Sequence, residues 1–110
     1  MLLFVCSGNT CRSPMCEGYM RHMFEQAGIN DIKVVSAGTS AGLGQPASEG
    51  SIGALKRCGV DISGHRSRPL DAELLKEADM IVAMTSSHKF RIGAISAEAL
   101  KKTSLLMDYA

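Results

Sequence analysis

The chain opens Met1-Leu2-Leu3-Phe4-Val5-Cys6-Ser7-Gly8-Asn9-Thr10-Cys11-Arg12-Ser13-Pro14. An apolar run over residues 1–5, with no polar alternation, is what a strand buried on both faces requires. A polar loop follows. Ser13-Pro14 then marks a helix start, with Ser13 as candidate N-cap and Pro14 at the first helical position. A buried strand that runs through a short loop into a helix N-terminus is the first half of a βαβ unit. Ligands of open α/β sheets bind at the carboxyl ends of such strands.

Outward from this stretch the alternation continues. Met15, Tyr19, Met23 and Ala27 recur every four residues, with Met20 and Phe24 alongside, so the helix has one apolar face, and Gly28 is its stop. Residues 32–37 read as a second strand centred on Val34-Val35, and 38–46 as a Gly/Ser/Thr-rich loop at the pocket rim. A helix over 47–58 closes at Gly59, 61–69 is polar and irregular, and 71–78 is a short helix. Residues 80–84 form a third strand, 86–100 a helix broken near Gly93 or Ser96, and 105–107 a fourth strand. Strands separated by helices predict an α/β fold, a four-stranded parallel sheet with flanking helices, in a single domain over 1–110.

Composition narrows the function classes. The 110 residues are 45% hydrophobic and 21% charged, which fits one globular domain and excludes a disordered chain. Twelve Lys and Arg against 11 Asp and Glu, with no basic stripe, argue against nucleic acid as a partner. No apolar run is long enough to span a membrane, and the N-terminus lacks a basic n-region and a cleavage site. A cytoplasmic protein with reduced thiols is expected, so Cys6, Cys11, Cys16 and Cys58 point to chemistry more than to a disulfide framework. The spacing Cys6-x4-Cys11-x4-Cys16 matches no common zinc pattern, and no metal or cofactor is expected. Cys16 and Cys58 read as packing residues.

The loop 6–12 has the length to curl round one tetrahedral anion with its backbone N–H groups inward. Ser7, Gly8, Asn9, Thr10, Cys11 and Arg12 are thus candidate phosphate-binding residues, with Gly8 and Asn9 tolerating positive φ. The helix N-terminus adds its free N–H groups and positive dipole end. Arg12 can grip two anion oxygens through its planar fork. Cys6 beneath the same donors is expected to ionise below the usual value of about 8.5 and to act as an in-line nucleophile, with the Ser13 hydroxyl donating to the sulfur. A buried Cys that ends a strand is otherwise only a small hydrophobe. The strand before, Gly-Asn within and Ser-Pro after together favour the catalytic reading.

Residues 6–14 resemble the phosphate-binding loop of the low-molecular-weight protein phosphatases. The likeness runs on through Ser36-Ala37-Gly38-Thr39, His65 and Ala78-Asp79-Met80-Ile81-Val82-Ala83-Met84-Thr85. The resemblance implies strand order 2-1-3-4 and hydrolysis of a phosphorylated protein through a phosphocysteine, with inorganic phosphate as product or inhibitor. It implies Cys6 as nucleophile, Arg12 as phosphate ligand and Ser13 as support for the thiolate. Asn9, Ser36 and His65 resemble the buried polar network that holds the loop, although His65 also reads as an ordinary loop histidine. A reversible Cys6–Cys11 disulfide that shields the nucleophile is likewise implied. Thr10 resembles the bacterial protein-arginine phosphatases, where the tyrosine phosphatases usually hold a larger aliphatic residue. Phosphoarginine is therefore favoured over phosphotyrosine.

The pattern also breaks. The family carries its general acid on an Asp-Pro loop after the fourth strand, followed by a last helix. No Asp-Pro pair occurs here, and Asp108 resembles a residue near that strand end, not the acid. The chain reads as truncated after the fourth strand, as a weakened phosphate- or phosphoprotein-binding module, or as one half of a homodimer that covers a bare sheet face. Thioredoxin-linked arsenate reductases share the loop but need further cysteines, and 85–95 has none. The loose G-x-G-x-x-A match Gly42-Leu43-Gly44-Gln45-Pro46-Ala47, with Asp61 downstream, makes a nucleotide site the weakest reading, because Pro46 removes a donor.

Overall fold

Leu3, Phe4, Val5 and Cys6 are all buried, because the strand they form lies inside the sheet. The computed structural model describes residues 1–109. Its strands β1 (Leu2–Cys6), β2 (Val34–Gly38), β3 (Met80–Ala83) and β4 (Thr103–Leu105) form one parallel sheet in the order β2-β1-β3-β4. The helices are α1 (Arg12–Gln26), α2 (Glu49–Lys56), α3 (Ala72–Glu77) and α4 (Ser86–Ile95), with 3₁₀ turns over Glu98–Lys102 and Leu106–Tyr109. No described helix is long and apolar enough to cross a membrane.

The period-2 alternation of strand side chains sorts the core. Leu3, Val5, Val35, Ala37, Ile81 and Ala83 pack against Leu74 and Leu75 of α3 and Ile92 of α4. Phe4, Cys6, Val34, Val82 and Met84 face the other way, onto Cys16, Met20 and Phe24 of α1. The register pairs Phe4 with Ser36, so Cys6 and Ser36 share the α1 face. A third cluster of Ala47, Leu55, Val60 and Ile62 covers the outer side of α1 through Met15. Gly18 permits that approach, since a Cβ there would lie 2.4 Å from Ile62 Cγ2.

Several local expectations need correction. Ser13 is inside α1, not its N-cap; Cys11 caps the helix, and the Ser13 hydroxyl reaches Cys6 instead. That contact sets the helix rotation. The row Ser13, Cys16, Met20 and Phe24 faces the sheet, while Tyr19 and Met23 from the expected stripe stay largely exposed. β4 comes two residues early because the 3₁₀ turn over Glu98–Lys102 leads straight into Thr103, whose hydroxyl bonds the Ala99 carbonyl. Cys58 is exposed, because α2 ends at Lys56 and residue 58 lies in the turn that Gly59 closes at φ 78°. The fourth helix breaks at Ser96; Gly93 stays helical under Leu100. The α1 side of the sheet is not bare, since Val82 and Met84 are buried there, while Met80, Leu100, Leu106 and Met107 around β3 and β4 are exposed. The rim loop is tied down at Ser67, whose hydroxyl takes the Gln45 N–H and donates to the Gly42 carbonyl.

Candidate active site

Residues 6–12 form a ring at the carboxyl end of β1, and its order comes from its carbonyls. In a planar trans peptide the C=O and the following N–H point opposite ways. The Cys6 carbonyl is tied outward by the Thr39 N–H (2.9 Å) and the Ser7 carbonyl by the Ser40 N–H (2.9 Å). The Asn9 carbonyl accepts from His65 Nε2 (2.7 Å), and the Thr10 carbonyl accepts from the Ser48 N–H (2.7 Å). The Cys11 carbonyl takes the Met15 N–H (3.3 Å) and the Ser51 hydroxyl (3.4 Å). Each tie turns the next N–H away from the partner and into the ring. α1 then starts at Arg12, so its free N–H groups and dipole end open onto the same space.

The Cys6 sulfur lies at the base of this ring, buried. The Asn9 N–H points at it (3.3 Å), and the Ser13 Oγ is 2.9 Å away. Asn9 Nδ2 donates to both Ser13 Oγ and Ser36 Oγ, at 2.8 Å each. The Ser13 hydroxyl already accepts from Asn9, which leaves its hydrogen available to donate to the sulfur when the sulfur is a thiolate. Two donors on one sulfur stabilise its anion. Burial first, and then the neighbouring Cys6, push the Cys16 thiol up.

Asn9 is the keystone. It is fully buried and held at φ 56°, the left-handed conformation that Asn tolerates better than most residues. Its Oδ1 takes the Arg68 N–H (2.9 Å), so the side chain joins the loop to the 64–70 segment. Gly8 does not adopt positive φ, contrary to expectation; Asn9 alone makes the curl. Gly38 has a different task. A Cβ there would lie 2.4 Å from the Ser7 carbonyl and 3.0 Å from the Asn9 nitrogen, so β2 can pass beneath the ring only as glycine.

The structure brings together every site residue expected from the sequence. Cys6, Asn9, Ser13 and Ser36 form one hydrogen-bonded network with His65. Ser7, Cys11 and Arg12 are exposed around the mouth, and Thr10 is half-buried there. Cys11 lies in the same short loop as Cys6, and both thiols are free. Asp108 caps a turn through the Leu105 N–H (3.0 Å). Asp61 caps Ser63 in an exposed turn away from any strand end, which removes the nucleotide reading.

The low molecular weight phosphotyrosine protein phosphatase model matches residues 1–110. The chain belongs to this family. It is 37% identical over 108 residues to a protein-arginine-phosphatase of Bacillus subtilis, covering 98% of this chain and 71% of that protein. It is 36% identical to the low molecular weight protein-tyrosine-phosphatase Etp of Escherichia coli K12, covering 94% of this chain and 67% of the relative. Among solved structures, it superposes with TM-score 0.91 and 35% identity on a cysteine-to-serine mutant of the YwlE arginine phosphatase whose active-site serine is phosphorylated, covering 98% of this chain and 70% of that one. The family's parallel sheet in the order 2-1-3-4 is the one found here.

Sequence reasoning missed the supports that lie outside the motif. Thr39, Ser40, Ser48 and Ser51 tie loop carbonyls, yet each reads alone as an ordinary loop or cap residue. Glu17 was also missed. Its carboxylate accepts from the Ser36 hydroxyl (2.5 Å) and pairs with Arg21 (2.6 Å), extending the Cys6–Ser13–Asn9–Ser36 chain outward. The available signal is its place one turn after Ser13 on α1. His88, buried beside Ser7, was missed as well.

Proposed function

We propose that residues 1–110 form one phosphatase domain that hydrolyses phosphorylated proteins, with phosphoarginine as the preferred substrate. The observation that carries this is the Cys6 sulfur, held by the Asn9 N–H and the Ser13 hydroxyl at the base of a ring of inward amides. The phosphoryl group rests on the N–H groups of residues 7–12, and the Arg12 fork takes two of its oxygens. Cys6 Sγ attacks phosphorus, the P–N or P–O bond breaks, and the departing nitrogen or oxygen takes a proton from water. Water then attacks phosphorus, the S–P bond breaks and inorganic phosphate leaves, while the Ser13 hydroxyl beside the sulfur eases departure of the thiolate.

The preference for phosphoarginine rests on Thr10 and on the arginine phosphatase among the relatives. Thr10 sits at the mouth with its carbonyl fixed by Ser48, so its short side chain is held in a defined place. A larger aliphatic residue would crowd the guanidinium there and offer no hydroxyl. Thr10→Ile is expected to shift the ratio of kcat/KM for phosphoarginine and phosphotyrosine peptides towards phosphotyrosine. An unchanged ratio refutes the preference. A thiolate mechanism requires a reducing compartment, which supports a cytoplasmic location. Cys11, a free thiol in the same short loop, supports a protective disulfide with Cys6 under oxidants.

A further inference from the structure

One buried titratable side chain takes no part in the mechanism above. His88 lies in the first turn of α4 with 3% exposure. Both of its ring nitrogens are engaged. Nδ1 faces the Thr85 N–H (3.2 Å) and the Thr85 hydroxyl (3.0 Å), while Nε2 is 2.8 Å from Ser7 Oγ. A backbone N–H can only donate, so Nδ1 is the acceptor and Nε2 carries the proton. His88 therefore donates to Ser7, and the Ser7 hydroxyl hydrogen remains free. Burial, and then the charge of Arg12, push the His88 imidazolium down, in keeping with a neutral ring.

Ser7 needs such a hold. It is the exposed first residue after β1, and the glycine after it has no side chain to anchor. The Ser40 N–H ties the Ser7 carbonyl from the β2 side (2.9 Å), and His88 ties its side chain from the α4 side. With both ends fixed, the Ser7–Gly8 peptide cannot rotate about its flanking bonds. The Gly8 N–H then stays aimed into the ring, where it is worth most to an anion.

We propose that His88 is a positioning residue for the phosphate loop, acting through the Ser7 hydroxyl. The proposal rests on the phosphatase reading, but its test does not depend on turnover. Inorganic phosphate affinity is measured by calorimetry for the wild type, Ser7→Ala, His88→Asn, His88→Gln and the Ser7→Ala/His88→Asn double variant, with Tm and kcat/KM on p-nitrophenyl phosphate alongside. Asn can still accept at Thr85 but falls short of Ser7; the Gln amide nitrogen can reach Ser7. Ser7→Ala and His88→Asn are each expected to weaken phosphate about five- to tenfold, the double variant no further, and His88→Gln to recover most of the loss.

An additive cycle, or a lowered Tm with unchanged phosphate affinity, gives His88 a purely structural role and overturns the proposal. If His88→Asn fails to fold, Ser7→Ala and His88→Gln decide it: full affinity in Ser7→Ala overturns it, and loss in Ser7→Ala with near-full affinity in His88→Gln upholds it. Wild type that binds phosphate without turnover overturns the phosphatase reading alone. Wild type that does not bind phosphate overturns both.

Discussion

Two loops leave the carboxyl ends of neighbouring strands, both contain glycine, and only one has its carbonyls tied outward as an amide nest needs. In the first, residues 6–12, tied carbonyls face outward from five peptides, and the loop runs straight into α1. In the second, residues 39–47, Leu43 is 79% exposed and the ties converge on Ser67 at the middle of the loop. Pro46 lacks an N–H, and residues without regular structure, 45–48, separate the glycines from α2. Glycine content is not what distinguishes them. An amide nest requires that each carbonyl have somewhere else to go, and only the first loop is surrounded by donors that supply this.

The largest effect that would sharpen this contrast concerns the nucleophile. Cys6→Ser is expected to remove turnover while phosphate binding, measured by calorimetry, survives, because the ring of amides is untouched. Loss of binding along with turnover would show that the sulfur, not the ring, holds the anion. The next largest contrasts two glycines. Gly38→Ala drives a methyl into the Ser7 carbonyl and the Asn9 nitrogen, so both Tm and phosphate affinity should fall. Gly42→Ala meets nothing within 4 Å and should leave both unchanged.

Asn9→Ala follows. It leaves Ser36 Oγ and the Arg68 N–H without the partner they have now and places Ala at φ 56°. A loss of about 2–4 kcal/mol in urea unfolding is expected from the stranded polar groups, with roughly 1 kcal/mol more from the backbone. The smallest effect is a pH slope. Because folding pushes His88 below its ordinary 6.5, the unfolded chain binds the extra proton. The stability this histidine supplies is complete above that value and is lost as pH falls through it towards the folded value; Arg12 is the charged group that adds to the shift. Urea midpoints measured across that window should decline on acidification in the wild type, and the slope should flatten in His88→Gln.

Much of this was legible because it is local. The buried run before Cys6, the polar loop and the helix after it are contiguous, so their order alone gave the βαβ reading and the anion ring. Asn9 was readable as the residue that tolerates positive φ, and the family resemblance grouped it with Ser36 and His65, but its bonds to Ser13 and to the Arg68 N–H, 59 positions away, were set by the packing. The helix face was misjudged for the same reason. Spacing showed an amphipathic α1, yet the Ser13–Cys6 contact decided which row turned inward.

The amino-acid order by itself determined the alternating α/β layout and pointed to Cys6 and its loop as the candidate nucleophile and anion site, because strand burial and helix N-terminal chemistry act over neighbouring residues. The tertiary structure decided what keeps that loop open. The outward carbonyls are satisfied by donors that follow β2, open α2 and lie in the 64–70 segment, while α4 holds the Ser7 side chain; only packing these around the end of β1 brings Thr39, Ser40, Ser48, His65 and His88 within bonding distance.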